Sequence, residues 1–285
     1  MQIATFSIRR AAARVLLALA GCLLLPQLAL ADLMLYPSRV VFEKNQRAAQ
    51  VDLINNGSEA ATFRISLVNR RMGENGEFSP ITTPEPGEKF ADDMLRFSPR
   101  QITLQPGVSQ TVRIALRKPA VLEVGEYRSH LFFERLPKAG GANSVEAHTS
   151  DDQQIGIVLN TLVGISIPVI VRHETTAAEV SLSQLALQPA NGAEPPHLAF
   201  QFDRSGNSSV YGDVNVTFVT PGGPEQTLAR LGGVAVYTPA QLRRARIALT
   251  VPPGLVLAHG QLQLSYRERP EAGGKLLAES VLALP

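Results

Sequence analysis

The run from Ile155 to Val171, IGIVLNTLVGISIPVIV, constrains this chain more than any other stretch. Side chains along a strand alternate between two faces. The odd positions, from Ile155, Ile157 and Leu159 through to Val169 and Val171, therefore share a face on which only Thr161 is polar. The even positions are mixed: Gly156, Asn160, Gly164, Ser166 and Pro168 interrupt Val158, Leu162 and Ile170. A strand of this length exceeds the usual five or six residues. Pro168 has no N–H for a ladder, so the strand must lie at a sheet edge or break there. Two readings follow. Either this is a core strand turning a corner at Pro168, or it is an edge strand whose apolar face docks on another chain.

The first 31 residues read as a secretory leader rather than as fold. Arg9, Arg10 and Arg14 precede an apolar run, and Ala29-Leu30-Ala31 has the small-x-small pattern of a cleavage site. Pro26 and Gln27 interrupt a run already short for a bilayer. Leu19-Ala20-Gly21-Cys22 offers a second reading, a lipoprotein box with Cys22 lipidated, but the sequence continues apolar beyond it as LLLPQLALA. Soluble export with cleavage after Ala31 is the expectation. Of 27 basic residues three lie in the leader, which leaves 24 against 25 acidic residues. A balance so close to neutral argues against nucleic acid or an anionic membrane as partner. Cleavage also removes the chain's one cysteine, so no disulfide or thiolate metal site is expected.

Beyond the leader, short alternating segments separated by Gly, Pro and Asn predict an all-β chain. Leu33 to Phe42 reads as the first strand, with Arg39 between Ser38 and an apolar end. Val51 and Leu53 alternate, Asn56-Gly57 signals a hairpin, and Phe63, Ile65 and Leu67 alternate again. A loop is expected from Arg70 to Phe90, and a Pro106-Gly107 turn separates Ile102 and Leu104 from Val112, Ile114 and Leu116. In GEYRSHLFFERLP, residues Tyr127, Ser129, Leu131 and Phe133 share a side. Pro137 to Gln154 is polar and aperiodic, a long loop leading into the long strand. This spacing predicts an immunoglobulin-like sandwich. A boundary falls where HETTAA follows Arg172, and the remaining alternating segments predict a second sandwich over 173–285. The expected division is a leader 1–31, a first domain 32–172 and a second domain 173–285.

Catalytic patterns are weak. The five histidines are scattered, with no spacing for a shared zinc, and His130 reads as an ordinary surface residue. No phosphate loop, dinucleotide fingerprint or calcium loop is present, so no cofactor and no nucleotide is expected. Gly164-Ile165-Ser166-Ile167-Pro168 approaches a nucleophile elbow but lacks its closing glycine and lies inside a strand. The chain is not expected to be an enzyme.

The first domain resembles the amino-terminal domain of the PapD-like periplasmic pilus chaperones. The residues that carry the resemblance are SRVVF at Ser38–Phe42, FSPRQITLQPGVSQTVRIAL at Phe97–Leu116, GEYRSHLFFERLP at Gly125–Pro137 and ISIPVIVR ending at Arg172. They occur in order over about 140 residues, behind a leader and ahead of a second small β domain. The resemblance implies two immunoglobulin-like sandwiches in an L-shape and a non-enzymatic chaperone of the periplasm. Such a protein binds pilus or fimbrial subunits by lending them a strand and delivers them to an outer-membrane usher. It also implies subunit-binding roles for Ile155, Ile157, Leu159 and Thr161 on the lent face, and for Arg39 as anchor of a terminal carboxylate. A lysine usual on the long strand of that family is missing, and Ser166 aligns with it. The long loop resembles the long-loop branch, without that branch's disulfide. A free molecule capping its own strand by dimerising is one further implication. The rival expectation is a structural or adhesive β-sandwich protein of the cell envelope.

Overall fold

The computed structural model describes residues 33–81, 83–137, 164–220 and 222–285. The leader with Cys22, most of the long polar loop, and Ile155, Ile157, Leu159 and Thr161 lie outside the described residues. The first half contributes β1 (Leu33–Tyr36), β2 (Val40–Phe42), β3 (Ala48–Asn55), β4 (Ala61–Val68), β5 (Arg70–Met72) and β6 (Phe78–Pro80). It continues with β7 (Leu95–Ser98), β8 (Gln101–Leu104), β9 (Ser109–Leu116), β10 (Gly125–Arg135) and β11 (Gly164–His173). Two sheets, ordered β1-β3-β9-β7 and β2-β11-β10-β4-β8, face each other. The alternation read from sequence fills the space between them. Val51, Leu53, Val112 and Ile114 of the first sheet meet Phe63, Ile65, Leu131 and Phe133 of the second in one core. The odd face of the long strand, Ile167, Val169 and Val171, belongs to the same core.

Three expectations are corrected here. Leu33 to Phe42 is not one strand: β1 pairs with β3, whereas β2 pairs in parallel with β11 in the opposite sheet. Pro37, which has no N–H to give a ladder, sits at the crossing. Asn56-Gly57 is not a hairpin turn, because β3 and β4 lie in different sheets. The buried Asn55 accepts from Gly57 N through Oδ1 at 2.9 Å and donates through Nδ2 to Glu59 O and Leu104 O. That side chain replaces the ladder and sends the chain across to the other sheet. The expected loop from Arg70 to Phe90 contains a hairpin, with Arg70–Met72 paired to Phe78–Pro80. Gly76, with φ of 85°, supplies the left-handed residue of its turn.

The second half folds as β12 (Ala178–Gln188), β13 (His197–Gly206), β14 (Val210–Val219), β15 (Gln226–Val236), β16 (Leu242–Ala248), β17 (Gln261–Arg267) and β18 (Leu276–Ala283). Sheets ordered β12-β13-β16 and β15-β14-β17-β18 enclose Leu198, Phe202, Val216, Phe218, Leu264 and Tyr266. Phe202 lies edge-on to Tyr266, centroids 5.0 Å apart. This core is not made by the second half alone. Met72 of the hairpin and Ile170 of β11 are buried in it, and Val41 packs against it. The even face of the long strand, mixed in sequence, is therefore split: its last apolar member closes the junction between the halves.

β11 does not break at Pro168. It pairs with β10 along its whole length, Pro168 opposite His130. On its other edge, β2 covers only Val169–Val171. Among the described residues, Gly164–Pro168 carry no strand on that edge. The proline sits at an edge position, where its missing donor is tolerated.

Candidate functional site

The open edge of β11 ends at a cluster of charged side chains packed between the halves. Arg39 is fixed there because Ser38-Arg39 link β1 in one sheet to β2 in the other, next to β11. Its side chain crosses to the second half. Nη2 donates to Ser209 Oγ at 3.1 Å. The guanidinium carbon lies 4.6 Å from the Tyr211 ring centroid and 5.5 Å from that of Tyr237, within cation–π range. Nη1 is buried and has no hydrogen-bond partner.

Glu126, Arg128 and His130 lie two residues apart on β10, so they share one face of the strand. Sequence alone suggested that this face meets solvent. Instead the hairpin and the second half pack over it, and all three side chains are buried. Arg128 donates through Nη2 to Arg70 O at 3.0 Å, and its guanidinium carbon lies 4.2 Å from the Tyr237 centroid. Its Nη1 has no partner. Burial lowers the pKa of Arg128, and the neighbouring charge of Arg39 acts in the same direction, against Tyr237 and Glu126. Burial likewise raises the Tyr237 phenol.

His130 corrects the expectation of a surface residue. It is 2% exposed, and neither ring nitrogen has a partner. The Phe78 ring meets it edge-on at 5.2 Å. Burial, then the charges of Arg128 and Arg70, push its pKa down to about 3, so the ring is neutral at physiological pH.

Glu126 balances the other end of the cluster. Its Oε2 accepts from Arg172 Nε at 3.2 Å, Ser209 N at 3.0 Å and Ser209 Oγ at 2.9 Å. Arg172 also reaches Glu43 at 2.6 Å and donates to Ser209 O at 3.3 Å. The loop carrying Ser209 is held from below by Arg204, whose Nη1 donates to Gly206 O and Ser208 O.

Of the six residues expected at a subunit site, Arg39 and Ser166 are described. They are not brought together. Arg39 precedes Val40, whose partner is Val169, while Ser166 stands opposite Phe132 three residues earlier on β11. Arg39 itself is level with Pro168, so it and Ser166 stand two residues, about 7 Å, apart along the strands. Sequence reasoning missed Arg128, Glu126, Ser209 and Tyr237. The signal available was the two-residue spacing of Glu126, Arg128 and His130, but its meaning depends on which surface covers that face. Among the described residues, no cluster of three or more His, Cys, Asp or Glu could hold a metal, and no helix is long and apolar enough to cross a membrane.

No family model and no curated protein matches the chain. Solved structures of chaperones do. The YadV chaperone is 10% identical, with 88% of this chain and 100% of that one covered, at a TM-score of 0.43. The CupB2 chaperone of Pseudomonas aeruginosa is 10% identical over 88% of this chain and 100% of its own, at 0.42. The CsuC–CsuE chaperone–tip adhesion subunit pre-assembly complex, from archaic chaperone-usher Csu pili of Acinetobacter baumannii, is 12% identical over 88% and 97%, at 0.39. These are distant likenesses.

Proposed function

We propose that this chain is a non-enzymatic periplasmic chaperone that holds pilus or fimbrial subunits by adding a strand to them and passes them to an outer-membrane usher. One observation carries the reading: β11 is open along Gly164–Pro168, and Arg39 stands where that opening ends. A partner strand laid on this edge, parallel to β11, would run towards Ser38-Arg39. Its terminal carboxylate would arrive at a guanidinium, whose planar fork suits a carboxylate. Backbone pairing would supply register and affinity. Upstream of the open edge, Ile155, Ile157 and Leu159 continue the apolar alternation. Each such side chain buried on docking would contribute about 1.5–3 kcal/mol before ordering is subtracted. A domain division at Arg172 and His173, near the end of β11, would fit this role, because the junction would then follow the open strand edge.

Affinity capture of the mature protein from its own periplasm, followed by mass spectrometry, tests the proposal. Wild type should bring down small secreted β-rich subunits, and Arg39→Ala and Leu159→Glu should lose them while remaining folded. Capture of nothing but itself by a folded wild type, while subunits are being secreted, would leave the structural envelope protein as the better reading.

A further inference from the structure

We infer that the β5–β6 hairpin is a strap across the junction that opens and closes on its own, without unfolding of either sandwich. The inference goes beyond the chaperone reading and does not rest on it. The hairpin belongs to neither sandwich, because its three-residue strands pair with each other and with no other strand. A two-stranded hairpin has little stability by itself, so its place is set by what it docks on. Its base is fixed to the first half. Ile81 N donates to Asn69 O at 3.1 Å, while the Asn69 side chain accepts from Ser129 Oγ at 2.7 Å and donates to Asp92 Oδ2 at 3.1 Å. Arg71 pairs with Glu88 at 2.6 Å, also within the first half. The tip and inner face rest on the second half. Met72 is buried in that half's core, the Phe78 ring lies 5.9 Å from that of Tyr237, and Glu74 meets Arg244 through both backbone and side chain.

Little apolar burial holds the strap down. Met72 is enclosed, but Phe78 is 39% exposed and the Glu74–Arg244 pair lies at the surface, where an ion pair contributes little. The closed position also buries polar atoms without a partner. These are Arg70 Nε on the strap, both ring nitrogens of His130 beneath Phe78, and Arg243 Nε beneath the tip. A buried group left unsatisfied is costly, and each of these regains water when the strap lifts, which favours the open position. Gly76 lets the tip approach β16, because the Arg243 guanidinium fills the space that a Cβ would take there. Few enclosed apolar contacts beside several unsatisfied polar atoms characterise a segment that opens well below the free energy of global unfolding. With the strap open, Ile170, Val41 and the Ser209 network still join the halves. Opening therefore admits water to the buried face of β10 without separating the sandwiches.

Hydrogen exchange of the mature protein, followed by NMR, tests the strap. The Arg244 amide reports on it from the second half, because its acceptor is Glu74 O at 2.6 Å. The Gly73 amide reports from the strap itself, through its bond to Glu77 O at 2.9 Å. Both should exchange at least about tenfold faster than Val216 in the central strand β14, and low urea should hardly change their rates. A cysteine pair, Glu74→Cys with Arg244→Cys, locks the strap shut. The two backbones are already hydrogen-bonded, and the chain beyond the leader has no other cysteine. With the bridge verified by mass, the amides at positions 73 and 244 should slow towards the rate of Val216, and reduction should restore their fast exchange. Gly76→Val, which collides with Arg243, should speed both amides while leaving Val216 protected. Exchange of Gly73 and Arg244 only through global unfolding, with the rate and urea dependence of Val216, would overturn the inference. A verified bridge that leaves both rates unchanged would overturn it as well.

Discussion

Arg39 and Glu126 are joined through a single hydroxyl: Ser209 Oγ accepts from Arg39 Nη2 at 3.1 Å and donates to Glu126 Oε2 at 2.9 Å. One residue of the second half thus ties the entry to β2 and β10 of the first half together. The carboxylate is also the anchor of Arg172, so it holds the end of the long strand as well. Positioning of the proposed anchor and cohesion of the two halves therefore depend on the same buried charge.

Glu126→Ala should be among the most destabilising single changes at the junction. Its side chain is fully buried, and removing it strands Arg172 Nε and two donors of Ser209. Breaking a buried pair from one side typically costs about 3–5 kcal/mol. Urea unfolding followed by tyrosine fluorescence should show the midpoint falling, whereas Ser209→Ala should cost about 1–2 kcal/mol. Equal, small effects of the two variants would show that the network is not a unit.

The junction should also be sensitive to apolar truncation. Ile170 is fully buried, and Met72 is 6% exposed, both in a core made mainly by the second half. Ile170→Ala and Met72→Ala should each destabilise by about 2–5 kcal/mol. The informative readout is cooperativity in calorimetry. If these side chains couple the halves, truncation should split or broaden a single transition, and an unchanged, merely shifted transition would show that they do not.

A pH dependence follows from His130. Its folded pKa is about 3, below the ordinary value of 6.5, chiefly through burial. The unfolded chain therefore takes up a proton before the folded one does, and stability falls as pH drops from about 6.5 towards 3. The slope is about 1.4 kcal/mol per pH unit for one such group. Glu88, whose pKa is lowered by its hydrogen bond to Arg71, adds loss in the same direction only below the ordinary carboxylate value. Between pH 6.5 and 5, His130 should dominate. His130→Phe removes two unpartnered nitrogens and should flatten the urea midpoint across that window; an equally steep wild-type and variant profile would assign the slope elsewhere.

The sandwiches were legible because alternation directly records which side chains face a core: Val51 and Leu53, Phe63 and Ile65, Leu131 and Phe133 all point where period two puts them. Pro168 was legible too, since a missing donor restricts a strand to an edge. What alternation cannot record is a surface covered from outside its own sandwich. Arg128 and His130 occupy polar-face positions, and only the packing of Phe78 and Tyr237 over them turns that face inward. Asn55 failed for a related reason. Asn-Gly after a strand signals a local turn, but its buried amide bonds to Leu104 O, a residue 49 positions away. Arg39 was singled out through its motif, but its cross-junction contacts to Ser209 and Tyr211 were not legible.

Gly206→Ala should disable the loop that presents Ser209. Gly206 adopts φ of +92°, and a Cβ there would lie 2.2 Å from Ala177 O, a backbone atom that cannot swing away. Ala177 O is also the acceptor of Asn207 N at 2.9 Å, and Asn207 Oδ1 accepts from Ala177 N at 2.8 Å. Gly206 O itself takes a donor from Arg204. Relieving the clash must therefore move either the start of β12 or the loop from Asn207 to Ser209, and with it the acceptor of Arg39. Strain of both kinds should cost about 2 kcal/mol or more. Gly222→Ala is the matched control, because it shares a positive φ of 72° but meets nothing within 4 Å. The expected outcome is a clear loss of stability for Gly206→Ala beside a loss of about 1 kcal/mol for the control. If the two variants unfold at the same urea concentration, the close approach to Ala177 does not hold the Ser209 loop in place.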